Sequence, residues 1–292
     1  MSAYIFEGHA EDREYRRLRM IETANDPTTI AMLQRTGIQP GWTCLELGPG
    51  AGSTLQWLGA RVGANGKVIG VDKKTTYLQG FSTPPYDIRE GNFLDVPIND
   101  PLDLVHARYV LIHNHQDTDI LDKIHRLSQP GSMAVFEEPD FTSATLLDNH
   151  RDEPHSRVNS AMCQMFVDLG LDPGYALRLP QKLQTCGFEI LETRSTMHLC
   201  EGNSPIANVM AESALALRHR YCETGQCSDQ DIHHYVHNAH TPGFWAIYHS
   251  TVSVIAKLPA RGTADNFCQQ PSQGGLLALI PSCTPFIQTG TA

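Results

Sequence analysis

A glycine-rich turn near residue 50 joins a predicted buried strand to a predicted helix. The strand covers residues 44–47, the turn at 48–52 reads Gly-Pro-Gly-Ala-Gly, and the helix starts at Ser53. Glycine accepts backbone conformations that a Cβ forbids, so main-chain N–H groups can approach a ligand closely. Glu46 adds a carboxylate at the start of the turn. The stretch therefore predicts a site at which backbone amides meet a polar ligand.

A second carboxylate follows the next predicted strand. This strand, residues 67–71, is apolar and ends in Asp72. Asp72 lies about 20 residues past the turn, the distance at which nucleotide-binding α/β proteins place an acid that binds ribose hydroxyls. The glycine turn and Asp72 together predict a nucleoside site.

The spacing of the three glycines separates this turn from other nucleotide motifs. A dinucleotide fingerprint reads Gly-x-Gly-x-x-Gly, and here the third glycine comes one residue early. A Walker loop needs Gly-Lys followed by Ser or Thr, whereas Gly66-Lys67 precedes Val68 inside a predicted strand. Residues 46–52 instead resemble motif I, E/D-x-G-x-G-x-G, of the class I S-adenosylmethionine-dependent methyltransferases. The alternative is a turn that only packs the helix against the strand.

The resemblance implies S-adenosyl-L-methionine as the cofactor. Asp72 stands where the family has its ribose-binding acid, and Asn92-Phe93 resembles the segment that contacts adenine. The family usually has Asp in place of Asn92, but an amide oxygen can also accept from the adenine amine. Tyr4 and Arg17 resemble N-terminal residues that close over the cofactor's amino-acid end; the alternative is a solvated helix. The residues implied to bind the cofactor are Tyr4, Arg17, Glu46, Gly48, Pro49, Gly50, Ser53, Asp72, Lys73, Asn92, Phe93, Arg108 and His113.

A catalytic base is needed only if the acceptor loses a proton as it attacks, and two residues are candidates. His113 follows the fourth predicted strand and Glu138 ends the fifth, so both are expected at the sheet edge where ligands bind. Histidine has the better intrinsic pKa for a base near neutrality, whereas a glutamate needs burial to raise its pKa. The alternatives are that His113 only holds its loop and that Glu138 caps a helix. His115 is a third candidate, further along the same segment.

Alternating strands and helices must position these residues. Five predicted strands separated by helices indicate a parallel, doubly wound sheet. A sixth strand is predicted from Phe188, and residues 245–258 would form the antiparallel seventh strand of the family. The resemblance therefore implies an α/β fold, a Rossmann-like seven-stranded methyltransferase sheet with helices on both faces and a helical cap.

One methyltransferase domain is expected over residues 1–258. Within it, an N-terminal helical cap would occupy 1–36, and substrate-cap elements 141–179 and 200–244. The C-terminal tail, 259–292, contains only two charged side chains and is expected to wrap the domain or to remain disordered.

Proline and capping residues predict where several helices begin. Asp26-Pro27 reads as an N-cap followed by proline at the first helical position, and Leu179-Pro180 predicts a second such start. Ser204 opens a long helix, and Ser228-Asp229-Gln230-Asp231 reads as a capping box.

An inserted helix after the fifth strand carries an apolar stripe that has two interpretations. Methionine and phenylalanine at helical spacing form either plain core or a deformable substrate pocket. The stripe consists of Val158, Met162, Met165, Phe166 and Leu169.

Composition limits the partners. The chain has 292 residues and a formal net charge of −10, so no strongly basic face for nucleic acid or an anionic membrane is expected. The eight cysteines have no repeating interval, and neither a leading apolar segment nor a long apolar run is present, which favours a reduced, cytoplasmic protein. Four histidines between 233 and 240 offer a metal-site alternative, but their spacing from the cysteines fits no zinc finger, and no metal is predicted.

The sequence thus predicts an S-adenosylmethionine-dependent methyltransferase that acts by direct transfer on a small-molecule acceptor, similar to enzymes of secondary metabolism. Two alternatives stay open: a methyltransferase-like enzyme that binds the cofactor but catalyses a cyclisation or rearrangement, and a non-catalytic regulator with this fold. The acceptor atom and the oligomeric state, a homodimer included, are left open.

Overall fold

A computed structural model of the chain describes residues 11–145 and 153–259. Tyr4, the segment 146–152 and the tail from residue 260 onward therefore lie outside the described residues. The described strands are β1 Thr43–Leu47, β2 Lys67–Asp72, β3 Tyr86–Glu90, β4 Leu102–Arg108, β5 Ser128–Asp140, β6 Glu189–Glu201 and β7 Trp245–Lys257. The helices are α1 Glu11–Arg35, α2 Ser53–Val62, α3 Asp117–Leu127, α4 Pro154–Asp168, α5 Tyr175–Thr185, α6 Pro205–Ala216, α7 Arg218–Glu223 and α8 Asp229–Ala239.

The strands form one seven-stranded sheet in the order β3-β2-β1-β4-β5-β7-β6. Strands β1 to β5 pair in parallel, whereas β7 is antiparallel to both β5 and β6. Successive side chains of a strand point to opposite faces of the sheet. Accordingly, Cys44 belongs to one buried apolar cluster, with residues of α1 and α2, and Leu45 belongs to a second cluster, with residues of α3 and α4. The predicted α/β sheet with helices on both faces is confirmed.

The two helix starts predicted from proline are wrong. Helix α1 runs unbroken through Pro27, and α5 begins at Tyr175 and contains Pro180. A proline inside a helix costs a backbone hydrogen bond and crowds the preceding turn. Tertiary packing outweighs this cost in α1, because Met32 and Leu33 are completely buried in the turns that follow Pro27.

The two serine caps predicted further along the chain are confirmed. The Ser204 hydroxyl accepts a hydrogen bond from the Ala207 N–H, and Ser228 forms a reciprocal capping box with Asp231. The helices that they start, α6 and α8, pack on α1 and α4 respectively. These helices form a layer above the carboxyl ends of the parallel strands.

No disulfide joins the cysteines within the described part of the chain, and Cys44 and Cys186 are buried. No helix within residues 11–145 and 153–259 combines the length and the apolar character needed to cross a membrane.

A buried ionic cluster lies in the middle of the sheet. His106 on β4 contacts Glu46 on β1 through Nδ1 at 2.7 Å and Glu137 on β5 through Nε2 at 3.3 Å. The hydroxyls of Thr29 and Ser253 donate to the Glu137 carboxylate. Burial alone would lower the pKa of His106, but the two carboxylates outweigh it and raise that pKa to about 9. His106 is therefore a buried cation between two anions.

Replacing His106 with Leu should destabilise the fold by roughly 3–5 kcal/mol near neutral pH, because two buried carboxylates lose their cation. The folded pKa of about 9 exceeds the unfolded value of 6.5, so the stabilisation is complete below pH 6.5 and is lost as pH rises through 9. Urea unfolding of wild type and variant across this range should show the difference in free energy shrinking.

His219→Leu is the matched control, because the His219 side chain is 85% exposed and should contribute little at any pH. A His106→Leu difference below about 1 kcal/mol, or one that stays constant with pH, would contradict the charged cluster.

Candidate active site

A cavity of about 1100 Å³ opens where the parallel strands end. Its walls come from the β1–α2 turn, from the residues that follow β2, β3 and β4, and from helices α1, α4, α6 and α7. Pockets for one drug-sized ligand usually measure roughly 300–1,000 Å³. The cavity thus offers room for two molecules side by side.

The glycine turn forms one wall of the cavity. Gly48, Gly50 and Gly52 have φ values of 63°, 60° and 96°, in the left-handed region that glycine tolerates best. A Cβ on Gly48 would lie 2.6 Å from a methyl carbon of Val110. The turn therefore depends on glycine both for its conformation and for its close approach to the segment after β4.

Asp72 lies beside this turn, as predicted from the spacing. Its carboxylate accepts hydrogen bonds from the N–H groups of Gly50, at 3.4 Å, and Lys74, at 3.2 Å. Burial raises the pKa of Asp72, and the backbone hydrogen bonds oppose the rise. Asp72 and the neighbouring Lys73 both line the cavity, so the carboxylate can receive hydroxyl donors from a ligand.

Ser53 does not line the cavity, contrary to the expectation. Its N–H donates to the Glu22 carboxylate at 2.9 Å, and its hydroxyl donates to Asp26 at 3.0 Å. Acidic side chains are favourable at a helix N-terminus because they satisfy its N–H groups and its dipole. Ser53 therefore links α2 to α1. Asp26, which the sequence predicts as the N-cap of a new helix, instead accepts a hydrogen bond from the first residue of α2.

Glu46 reaches the cavity wall but directs its carboxylate elsewhere. The side chain is 2% exposed overall, and its Oε2 is the atom that contacts His106. Its placement at the start of the turn is as expected from the motif, but the carboxylate is engaged within the ionic cluster.

The segment after β3 forms the next part of the wall. Asn92 and Phe93 both line the cavity, and the Asn92 side-chain oxygen accepts from the Leu94 N–H at 3.2 Å. Lys123 on α3 holds this segment by donating to the carbonyls of Phe93, Leu94 and Val96. Sequence reasoning missed Lys123, because nothing in the local pattern of α3 indicates that it reaches β3.

Two predicted arginines also line the cavity, and each has an acidic partner on α1. Arg108 donates to Asp26 at 3.0 Å and to the Thr29 hydroxyl at 2.8 Å. Arg17 makes a two-point contact with Glu14, at 2.8 and 2.7 Å. Helix α1 therefore closes one side of the cavity. The Arg108–Asp26 pair joins it to β4, whereas the Arg17–Glu14 pair lies within α1 itself.

The geometry opposes Glu138 as a base. Glu138 is completely buried, does not line the cavity, and accepts hydrogen bonds from the N–H groups of Val110, Leu111 and Ile112. Burial raises the pKa of Glu138 to about 8, with these three bonds opposing the rise. A carboxylate that satisfies three amides of one turn holds that turn in place. Glu138 thus matches the capping alternative.

His113 ends the turn that Glu138 holds, and it lines the cavity. Burial, with smaller contributions from the charges of Arg17 and Lys73, lowers the pKa of His113 to about 3. The imidazole is therefore neutral at neutral pH, but its buried site makes protonation of the ring unfavourable. His115 is exposed and lies outside the cavity wall.

Part of the apolar stripe of α4 lines the cavity, and part of it packs in the core. Met162 and Phe166 line the cavity, Val158 and Met165 are buried away from it, and Leu169 is partly exposed. Phe141 and residues of α6 also line the cavity and complete an apolar chamber; the α6 residues include Ile206, Val209 and Met210.

Tyr109 and His249 also line this chamber, and sequence reasoning missed both. Tyr109 has a φ of 59°, which is uncommon for a residue with a side chain. His249 lies in β7, where the only available signal was an imidazole within an otherwise apolar and β-branched strand.

The histidines of α8 do not form a metal site with their neighbours. His233 contacts Asp229 at 3.3 Å, and among the described residues no three His, Cys, Asp or Glu side chains converge in a way that could hold a metal ion.

A family model described as "Methyltransferase domain" matches residues 13–172, which is more than half of the chain. A protein of transposon Tn4556 from Streptomyces fradiae is 26% identical over 199 residues, which cover 61% of this chain and 56% of that protein. A 2-phytyl-1,4-naphtoquinone methyltransferase from a Nostoc species is 30% identical over 142 residues, which cover 46% of this chain and 57% of that enzyme. The chain thus spans little more than half the length of these relatives.

Among solved structures, the [4+2]-cyclase SpnF superposes with a TM-score of 0.53 at 18% identity, covering 82% of each chain. At this identity the likeness concerns the fold alone. The family match covers β1 to β5, and so contains the glycine turn and Asp72. The chain belongs to the class I S-adenosylmethionine-dependent methyltransferase family.

Proposed function

We propose that this protein transfers the methyl group of S-adenosylmethionine to a small, largely apolar acceptor. The observation that carries the proposal is a single cavity in which the glycine turn and Asp72 face an apolar chamber. Two ligands of different chemistry can therefore lie next to each other, one on the polar wall and one on the apolar wall.

The polar wall fits the cofactor. The left-handed glycines let the backbone line the cavity, where a Cβ on Gly48 would clash with Val110. Asp72 offers acceptors for two ribose hydroxyls. Asn92 and Phe93 would meet the adenine, and Arg17 and Lys73 supply positive charge for a carboxylate. When bound, the cofactor supplies a methyl group already activated by the sulfonium.

The apolar wall fits an aromatic or polycyclic acceptor. Phe141, Met162 and Phe166 offer a deformable, apolar surface. The naphthoquinone named for one relative is a compound of this kind, which supports but does not define the acceptor class. Enzymes of secondary metabolism commonly act on such compounds.

Alignment and exclusion of water are the contributions expected from this chain. The chamber can orient the acceptor lone pair, and the packed layer of α1, α4 and α6 keeps water away from the reacting groups. Glu138 holds the turn that carries His113, so this part of the cavity wall keeps its shape.

The alternative of a cyclisation on the same fold is tested by product mass. The similarity to a [4+2]-cyclase shows that this fold supports other chemistry, but it assigns none to this chain. Methyl transfer adds the mass of one CH₂ group to the acceptor, a rearrangement leaves its mass unchanged, and a non-catalytic regulator leaves the acceptor unaltered.

Replacing Asp72 with Ala should weaken binding of S-adenosylhomocysteine by roughly 10²- to 10⁴-fold, because it removes two charge-assisted hydrogen bonds to ribose, each worth about 1.5–3 kcal/mol. Isothermal calorimetry measures the affinity. The exposed Asp119→Ala is the matched control and should bind like wild type. Absence of heat with wild type, or equal affinity for Asp72→Ala, would contradict the cofactor site.

Replacing Phe166 with Leu should shift acceptor preference toward bulkier hydroxylated aromatics without changing cofactor affinity, because it enlarges the chamber alone. Turnover of a graded acceptor panel, followed by mass spectrometry, measures the shift. Val158→Ala is the control, since Val158 is buried on the same helix but does not line the cavity. If both variants show the same acceptor preference as wild type, Phe166 only packs in the core and does not select the acceptor.

A further inference from the structure

The geometry points to His249 as the residue that hydrogen-bonds the polar group of the acceptor, with Tyr109 positioning its ring. This inference rests on the proposed function. His249 precedes Ser250, which pairs with Asp140 at the end of β5. It therefore lies at the same sheet edge as the glycine turn, but on the antiparallel strand.

His249 carries an unsatisfied polar atom in the chamber wall. The residue is 4% exposed, lines the cavity, and among the described residues its buried Nδ1 has no hydrogen-bond partner. Leaving a buried polar atom without a partner is unfavourable, because the atom loses its hydrogen bonds to water and gains none from the protein. A ligand hydroxyl, amine or carbonyl at this position would remove that cost, which is the physical reason to expect one.

The other ring nitrogen is already held. Nε2 lies 3.2 Å from the Tyr109 hydroxyl, and the two rings meet edge to face at 6.0 Å. The same hydroxyl lies 2.6 Å from the Thr251 hydroxyl and donates to Asn25 at 3.1 Å. Tyr109 is thus fixed from three sides, which can sustain its unusual backbone conformation. The imidazole ring is oriented, and Nδ1 is the atom left for a ligand.

A neutral ring suits an uncharged acceptor. Burial, with a smaller contribution from His198, lowers the pKa of His249 to about 3, so the imidazole is neutral at neutral pH. In either tautomer, Nδ1 then offers one donor or one acceptor. With Phe141 at 5.8 Å ring to ring, the surroundings fit an aromatic body that bears one hydroxyl or carbonyl group.

His113 reaches the chamber from another direction, at Phe166, where the two ring centroids are 5.9 Å apart. The charges that act on it come from Arg17 and Lys73, which are on the cofactor wall. His249 instead neighbours Phe141, Tyr109 and His198. The two histidines therefore predict different outcomes when each is replaced.

The test compares 2-naphthol with naphthalene as probes of the protein saturated with S-adenosylhomocysteine. The ratio of their dissociation constants isolates the contribution of the hydroxyl. His249→Gln keeps an amide near the Nε2 position and removes Nδ1, so it should reduce the relative preference for 2-naphthol by about three- to tenfold. His249→Asn keeps a polar atom near Nδ1 and should retain most of the preference, as should His113→Leu.

Three results would overturn the inference. They are an unchanged ratio in His249→Gln, an equal loss in His113→Leu, and failure of wild type to bind 2-naphthol. Calorimetry with S-adenosylhomocysteine separates this from the proposed function: no binding by wild type would refute the cofactor site, whereas loss of binding only in His249→Gln would assign His249 to structure.

Discussion

The ionic cluster of Glu46, His106 and Glu137 is the interaction on which the rest of the site depends. It joins β1, β4 and β5 directly beneath the glycine turn and extends through Thr29 to α1. Burial alone would raise the pKa of Glu137, but His106 and Arg108 hold it below its ordinary value. Removing any one charge would leave the others buried without compensation, so the cluster fixes the mutual positions of three strands and one helix.

The cavity has a polar and an apolar wall, and the elements that this cluster holds together position them. On one side, backbone amides, Asp72 and the charges of α1 form a polar wall. On the other side, α4 and α6 contribute apolar side chains, and the histidines that reach the cavity are neutral because burial lowers their pKa. A site of this kind suits a reaction whose leaving group is already activated, because it mainly needs to align two ligands and exclude water.

The sheet and the position of the cofactor wall could be predicted because they depend on local signals. Strand periodicity, the glycine spacing and the number of residues between the turn and Asp72 are all properties of short segments of the sequence. Side-chain roles that depend on distant partners could not be predicted. Ser53 donates hydrogen bonds to Glu22 and Asp26 of α1, and Glu138 accepts hydrogen bonds from three backbone amides that follow β4. The helix start predicted at Pro27 is wrong because the burial of Met32 and Leu33 outweighs the preference of proline for the first turn of a helix. His249 was missed because its contact with Tyr109 joins residues 140 positions apart.

A crystal structure of the complex with S-adenosylhomocysteine tests the central claim most directly. Both ribose hydroxyls should lie within hydrogen-bond distance of the Asp72 carboxylate, the adenine should lie beside Phe93, and the thioether sulfur should face the chamber of Phe166 and His249. A ligand bound outside this cavity, or one whose sulfur points away from the apolar chamber, would contradict it.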